Sequence, residues 1–390
     1  LKSDATHVAV DTETTGLYPR DGYILGISLS VDDEHGVYIS TDCIDDEVAD
    51  LMQTLFREKN VIMHNAKFDL AMLEYHFNFE FPTIDDTMLM SYMLNEVPGN
   101  HGLKGLAIKH TPYGDYEKPM YDFIDDYCRR NGMLKGDFTW DMIPFDLMQV
   151  YAAMDACVTY RIYKVFKAEL DKDHQIRRVY KNLLIPAMRF LKEAQDAGVP
   201  FDRKRLEVSQ NIMEADIAEA TKRLYEFQEV RSFEDFQDKG FNPNSTLQLR
   251  KLLFDFIGLN PTGKKTGTGA DSTDAEVLGQ LAEEHAVPQL VLDIRQKVKI
   301  KSTYLDKIIP ALDRDSRLRT GFNLHGTTSG RLSSSGKMNM QQIPRDNPIV
   351  KGCIRAKPGN KIVAMDLTTA EVYCAAVLAQ DTALQQVFQE

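Results

Sequence analysis

Asp11 and Glu13 stand two residues apart behind the apolar run Val8-Ala9-Val10. If that run is a buried strand, side chains at i and i+2 leave by the same face and the two carboxylates are presented together. Thr14, Thr15 and Gly16 then end the element as a turn. Neighbouring carboxylates repel and raise each other's pKa unless positive charge lies between them. A hard cation with oxygen ligands, Mg²⁺ or Mn²⁺, meets that demand. A surface strand end that carries two acids by chance is the plain alternative, and more carboxylates at helical spacing weigh against it. Asn65 and Asp69 lie four apart at the expected start of a helix, and Tyr151 and Asp155 lie four apart inside a longer one, so each pair shares a face. A core aromatic is the ordinary alternative for Tyr151.

The elements that must position these residues are legible around them. Tyr23–Val31 and Gly36–Ser40 read as further strands, with Asp32-Asp33-Glu34-His35 as the turn between. Val48, Leu51, Met52, Leu55 and Phe56 recur at helical spacing, and Val61-Ile62-Met63 is a short buried strand leading into Asn65. Asp85 or Asp86 suffices as the N-cap of an apolar helix over Met88–Leu94. Phe145–Leu170 is a single long helix carrying Tyr151 and Asp155.

The middle of the chain holds helices and a decoy. Asp171 to about Val230 is helical, broken at Ala197-Gly198-Val199-Pro200. Ser245-x-x-Gln248 and Thr273-x-x-Glu276 match capping boxes. Between them, Gly258 to Lys264 imitates the start of a phosphate-binding G-x-x-x-x-G-K loop. Lys265, however, sits where a Ser or Thr must hold Mg²⁺, and Pro261 interrupts the loop. A flexible loop that touches a nucleic-acid backbone through Lys264, Lys265 and Thr266 suits the residues better, with a plain linker as the alternative.

Charge is divided along the chain. The formal net charge is −12, yet Arg295–Lys361 carries 15 Lys and Arg against 4 Asp, a net +11 that leaves −23 for the remainder. Apolar residues interleave this basic stretch, so it reads as folded surface suited to phosphate contacts. A solvated charged face is the alternative. Arg295 to Tyr304 is a helical run with Lys297 and Lys301 on one face. Lys361–Met365 then reads as a buried strand that delivers Asp366, followed by Glu371 and an apolar helix over Val372–Leu378.

At 390 residues, 43% hydrophobic and 27% charged, the composition is that of a soluble protein of two or three domains. No apolar run is long enough to span a membrane and no signal peptide is visible. Five scattered cysteines without a C-x-x-C pair argue for reduced thiols in the cytoplasm, host cytoplasm if the source is viral, and against a zinc site. A start at Leu1 reads as a piece of a longer or processed chain.

Asp-x-Glu, Asn-x-x-x-Asp and Tyr-x-x-x-Asp, in that order, resemble the tyrosine subtype of the DEDD proofreading 3′–5′ exonucleases. The resemblance implies an α/β, ribonuclease H-like domain over residues 1–170. It assigns Asp11, Glu13, Asp69 and Asp155 as ligands of two divalent ions, with Tyr151 orienting the attacking water and Asn65 holding neighbouring groups. Behind it, Ser329-Gly330-Arg331-Leu332-Ser333-Ser334, Asn339-Met340-Gln341-Gln342-Ile343-Pro344 and Asp366-Leu367-Thr368-Thr369-Ala370-Glu371 resemble segments of the family A, polymerase I-like DNA polymerases. That implies connecting helices over 171–205, a mostly helical thumb over 206–309 and an incomplete α+β palm over 310–390. Arg331 would reach the minor-groove edge of the primer-terminal pair, where purine N3 and pyrimidine O2 acceptors take similar places in every correct pair. Asn339, Gln341 and Gln342 would do similar polar work on primer and template. Asp366 would hold the two ions that activate the primer 3′-OH, and Glu371 would sit against the nucleotide sugar. Leu367, Thr369 and Ala370 depart from the family's usual residues.

The expected substrates are therefore a DNA primer-template, single-stranded 3′ ends and deoxynucleoside triphosphates. The family's fingers helix and second catalytic carboxylate are not found before Glu390. Either the natural chain continues or a second polypeptide supplies them, and these residues alone are expected not to extend a primer. Two other readings compete. A stand-alone DEDD exonuclease acting on DNA or RNA has no use for Ser329–Pro344. A non-catalytic DNA-binding module has no use for the intact set of four acids.

Overall fold

The computed structural model describes residues 4–344 and 347–388. Arg345 and Asp346, which fall in the basic stretch, and the residues beyond each end lie outside the described residues. The chain forms two compact units, one built from residues up to Gly198 together with Arg319–Ile343, the other from Val199–Leu318 and Pro344 onward.

The first unit is organised on a five-stranded sheet. Its strands are β1 (His7–Thr14), β2 (Ile24–Ser30), β3 (Gly36–Ser40), β4 (Asn60–Met63) and β5 (Ile84–Asp86), in the order β3-β2-β1-β4-β5. β1 runs antiparallel to β2 and parallel to β4, so it is the central strand. Val8, Ala9 and Val10 are fully buried because both faces of that strand are covered, which is why the run is continuously apolar rather than alternating. The connections are helical: α1 (Asp46–Glu58), α2 (Ala66–Phe77), α3 (Thr87–Leu94), α4 (Leu103–His110), α5 (Lys118–Asn131) and α6 (Phe145–Leu170). α6 packs along the sheet with Val158, Ile162 and Phe166 in the core beside Ile27, Val61 and Ile62. Gly36 permits that approach: a Cβ there would collide with the Ala153 carbonyl and with Cys157 of α6. Further helices, α7 (His174–Val179) and α8 (Ile185–Ala197), follow.

The returning segment of the first unit is a small hairpin, Gly321–Asn323 against Ser333–Ser335. Lys67 donates to the Phe322 carbonyl, and Tyr92 Oη donates to the Thr327 carbonyl at 2.9 Å. Lys337 pairs with Asp21 at 2.5 Å and stands over the Tyr18 ring.

The second unit is mostly helical, with α9 (Arg203–Tyr225), α10 (Gln228–Gln237), α11 (Thr246–Arg250), α12 (Ala275–Leu281), α13 (Ala286–Lys299) and α14 (Asp306–Ala311). Its core gathers Leu224, Phe233, Leu249, Leu253, Leu278 and Val291. Three details differ from the sequence reading. The N-cap of α12 is Asp274, whose side chain accepts from Val277 N, and not Thr273 one residue earlier; a carboxylate at the helix start also meets the positive end of the dipole. Arg295 is turned inward, with Nε on the Pro243 carbonyl and Nη1 on the Thr273 carbonyl, both at 2.8 Å. Lys361–Met365 is not a buried strand: it has no regular structure and is exposed, Val363 by 79% and Met365 by 93%. A strand needs a neighbour for its backbone donors and acceptors, and no strand among the described residues pairs with this one. The helix after it, over Ala370–Leu378, is present, with Ala376 as its buried residue.

The five cysteines are unpaired. Among the described residues no helix is long and apolar enough to cross a membrane.

Candidate active site

The central strand delivers Asp11 and Glu13 from one face, as their spacing requires, and α6 brings Asp155 to them. Asp11, Glu13 and Asp155 each place a carboxylate oxygen within 4.8 Å of the others. Glu13 and Asp155 are buried, while Asp11 keeps some solvent access. Asp69, on the first turn of α2, is not in this tight group. Its Oδ1 accepts from Thr12 N at 3.1 Å and from Thr12 Oγ1 at 2.7 Å, which ties the helix to the central strand.

Electrostatics mark the cluster as costly without a cation. Burial, then the charges of Asp69, Asp155 and Glu13, push the Asp11 carboxyl well above its ordinary range. Burial, then Asp155 and Asp69, do the same to Glu13. Burial raises Asp69 to about 7 against the opposing hydrogen bonds from Thr12. Burial raises Asp155 to about 6 against hydrogen bonds from Tyr116 and Tyr151. Glu13 Oε1 is buried with no hydrogen-bond partner among the described residues. An orphaned carboxylate oxygen beside two further carboxylates is a donor set that fits a hard divalent cation, and among the described residues no His or Cys joins the group to favour a softer one.

Tyr151 lies one turn before Asp155 on α6, and its phenol opposes the upward push of burial on that carboxyl. Its ring stacks on Tyr116 at 6.4 Å and packs on Trp140 at 5.8 Å. Burial and the charge of Asp155 push both phenols upward, so they stay protonated and act as donors. Asn65 does not share the face of α2 with Asp69, because the helix starts after it. Asn65 takes a left-handed backbone (φ 63°) and its N–H donates to Asp86 Oδ1 at 3.2 Å. Asp86 is the N-cap of α3, and its carboxylate also receives Ala66 N at 2.9 Å, so one side chain caps α3 and fixes the start of α2.

The candidate residues farther along are not in this cluster. Arg331 is exposed on the loop of the hairpin. Asn339 caps a short turn by accepting from Gln341 N at 3.0 Å, and Gln341 Nε2 donates to the Leu332 carbonyl at 3.1 Å, so both hold their own loop in place. Gln342 is exposed on the same turn. Lys264 pairs with Asp274 at 2.8 Å and with Glu276, and Lys265 pairs with Asp271 at 2.5 Å. Asp366 and Glu371 are exposed.

Thr12, Tyr116 and Trp140 escaped the sequence reading. Thr12 sits between the two acids of the motif, and a hydroxyl there carries no spacing signal. Tyr116 reaches Asp155 from the loop between α4 and α5, a position that only the tertiary fold defines.

Comparison with known proteins finds two family matches along the chain. A family model described as 3′–5′ exonuclease matches residues 2–171, and one described as DNA polymerase family A matches residues 204–390. The DNA polymerase of Escherichia phage T5 is 47% identical over 389 residues, covering 98% of this chain and 46% of that one. DNA polymerase I of Rhizobium leguminosarum is 30% identical, covering 98% of this chain and 39% of that one. The chain thus spans under half the length of either relative. In fold it is similar to the POL domain of Pol1 from M. smegmatis, solved in complex with DNA primer-template and dNTP, at a TM-score of 0.76 and 21% identity over 99% of this chain and 61% of that one.

Proposed function

Because the chain belongs to the family A DNA polymerases, with a 3′–5′ exonuclease domain ahead of polymerase sequence, we propose that its first unit is a ribonuclease H-like proofreading nuclease. It removes nucleotides from the 3′ end of single-stranded DNA. The observation that carries this reading is the convergence of Asp11, Glu13 and Asp155 within 4.8 Å, with a buried oxygen of Glu13 left unpartnered. These three, with Asp69 beside them, would hold two Mg²⁺ or Mn²⁺ ions. When bound, such ions lower the pKa of an attacking water and stabilise a leaving 3′ oxygen.

The remaining work falls to the chain's own side chains. Tyr151, kept protonated by burial and by the charge of Asp155, orients the water as a hydrogen-bond donor rather than taking its proton. Thr12 fixes Asp69 against the central strand, so α2 and β1 hold their acids in one frame. Asn65 holds groups of the DNA near the start of α2.

For the second half the proposal is template-directed DNA synthesis. Arg331, Asn339, Gln341 and Gln342 contact primer and template, Lys264 and Lys265 touch the DNA backbone, Asp366 is an ion ligand, and Glu371 lies against the sugar of an incoming deoxynucleoside triphosphate. Sequence similarity over 204–390 supports this over a stand-alone nuclease.

Direction of attack tests the nuclease reading. With a 5′-labelled oligonucleotide the expected product is a ladder that shortens one nucleotide at a time, and with a 3′-labelled one it is immediate release of labelled mononucleotide. Internal cuts, or loss of the 5′ label first, overturn it.

A further inference from the structure

Two phenols, Tyr116 and Tyr151, act on the Asp155 carboxylate, and only Tyr151 belongs to its own helix. Tyr116 Oη donates to Asp155 Oδ1 from the loop ahead of α5. Its neighbour fixes that loop: Glu117 is buried and ion-paired with Lys104 of α4, and its carbonyl accepts from Met120 N at 3.0 Å. Lys104 in turn stands 4.1 Å from the centre of the Tyr121 ring. The Tyr116 ring lies nearly parallel to that of Tyr151, 24° between planes. Tyr116 therefore touches both the carboxylate and the aromatic that flanks it, from an element independent of α6.

A carboxylate has two oxygens and turns about its Cβ–Cγ bond, so either oxygen, or both, can face a cation. A hydrogen bond to one oxygen removes that freedom and leaves the other as ligand. Partners of this kind set ligand orientation, and losing one typically weakens metal affinity about 10- to 100-fold. We infer that Tyr116 is a positioning residue of the nuclease centre, whose hydroxyl holds the Asp155 carboxylate as a one-oxygen ligand while its ring steadies Tyr151. The inference rests on the nuclease reading above and adds to it a residue outside the three sequence motifs.

The test is Tyr116→Phe, which removes the hydroxyl and keeps the stacking ring. Mn²⁺ is titrated calorimetrically into the full 390-residue chain without DNA, beside wild type and Asp155→Ala. The expected result is Mn²⁺ binding weakened about 10- to 100-fold in Tyr116→Phe, as for other lost partners of metal ligands. Degradation of single-stranded DNA should fall at low Mn²⁺ and recover toward wild type at saturating Mn²⁺, with KM for DNA unchanged. A merely structural role would lower the melting temperature in EDTA and would not be rescued by excess metal. Mn²⁺ affinity within twofold of wild type in Tyr116→Phe, alongside loss of binding in Asp155→Ala, overturns the role of Tyr116 and leaves the nuclease centre standing. No Mn²⁺ binding by wild type overturns both.

Discussion

Asp155→Asn should stabilise the metal-free protein while removing its response to metal. The substitution deletes one negative charge from the cluster and keeps a carbonyl oxygen in place of Oδ1 to accept the Tyr116 hydroxyl. In the folded chain burial raises Asp155 from 3.8 to about 6. The sign follows from linkage: a carboxyl whose folded pKa lies above its unfolded value favours folding fully below pH 4. That contribution is lost as pH rises through about 6. A shift of about two units corresponds to roughly 3 kcal/mol as an upper bound, shared with the neighbouring acids. For a unit of roughly 200 residues that is a rise in melting temperature of about 5–10 °C. Scanning calorimetry in EDTA at pH 8 should show the variant melting above wild type, with the gap closing toward pH 4. Mn²⁺ should then raise the melting temperature of wild type and leave the variant nearly unmoved. A variant that melts below wild type in EDTA at pH 8 would refute the reasoning, because Tyr116 and Tyr151 would then stabilise the charge more than burial penalises it.

Other outcomes follow from single contacts. Asp86→Ala removes the acceptor for Asn65, Ala66, Met88 and Leu89 N–H groups and should cost about 3 kcal/mol, read as a lower denaturant midpoint. Tyr92→Phe loses the bond to the Thr327 carbonyl, so amide exchange in the Gly326–Ser335 segment should speed up at a stability cost of about 1 kcal/mol. Arg295→Ala should destabilise the helical unit by about 2–4 kcal/mol yet leave the salt slope of duplex binding unchanged, because the guanidinium is spent on the Pro243 and Thr273 carbonyls. Replacing Lys264 and Lys265 together should flatten that slope by less than the roughly 0.9 per neutralised phosphate. The reason is that Asp271, Asp274 and Glu276 already compete for these lysines; a slope lowered by the full amount would contradict the pairing.

Where local chemistry sets the structure, the sequence was readable. The two-residue spacing of Asp11 and Glu13 put both carboxylates on one strand face, and the long helix over Phe145–Leu170 appeared with its expected bounds. The errors have local causes too. Asp274 displaced Thr273 as cap because two adjacent residues were both competent, and spacing alone does not choose between them. Asn65 and Asp69 satisfied helical spacing, but the left-handed backbone at Asn65 starts the helix one residue later. Lys361–Met365 has the composition of a strand, and composition cannot supply a neighbouring strand. Arg295 was counted as surface charge because its carbonyl partners, Pro243 and Thr273, are remote in sequence. Tyr116 was invisible for the same reason: it lies 39 residues from the carboxylate it contacts.

The central claim is that the acids around the central strand form a cation-dependent 3′–5′ exonuclease. Its most direct test is single-turnover degradation of a 5′-labelled single-stranded oligonucleotide by metal-stripped protein, with Mn²⁺ added back in steps. Wild type should be silent in EDTA and gain activity with Mn²⁺. Asp11→Ala and Asp155→Ala should each lose most of that activity, and Tyr151→Phe should lose only part. Degradation by wild type in EDTA, or an Asp155→Ala protein that works at the wild-type rate with Mn²⁺, would contradict the account.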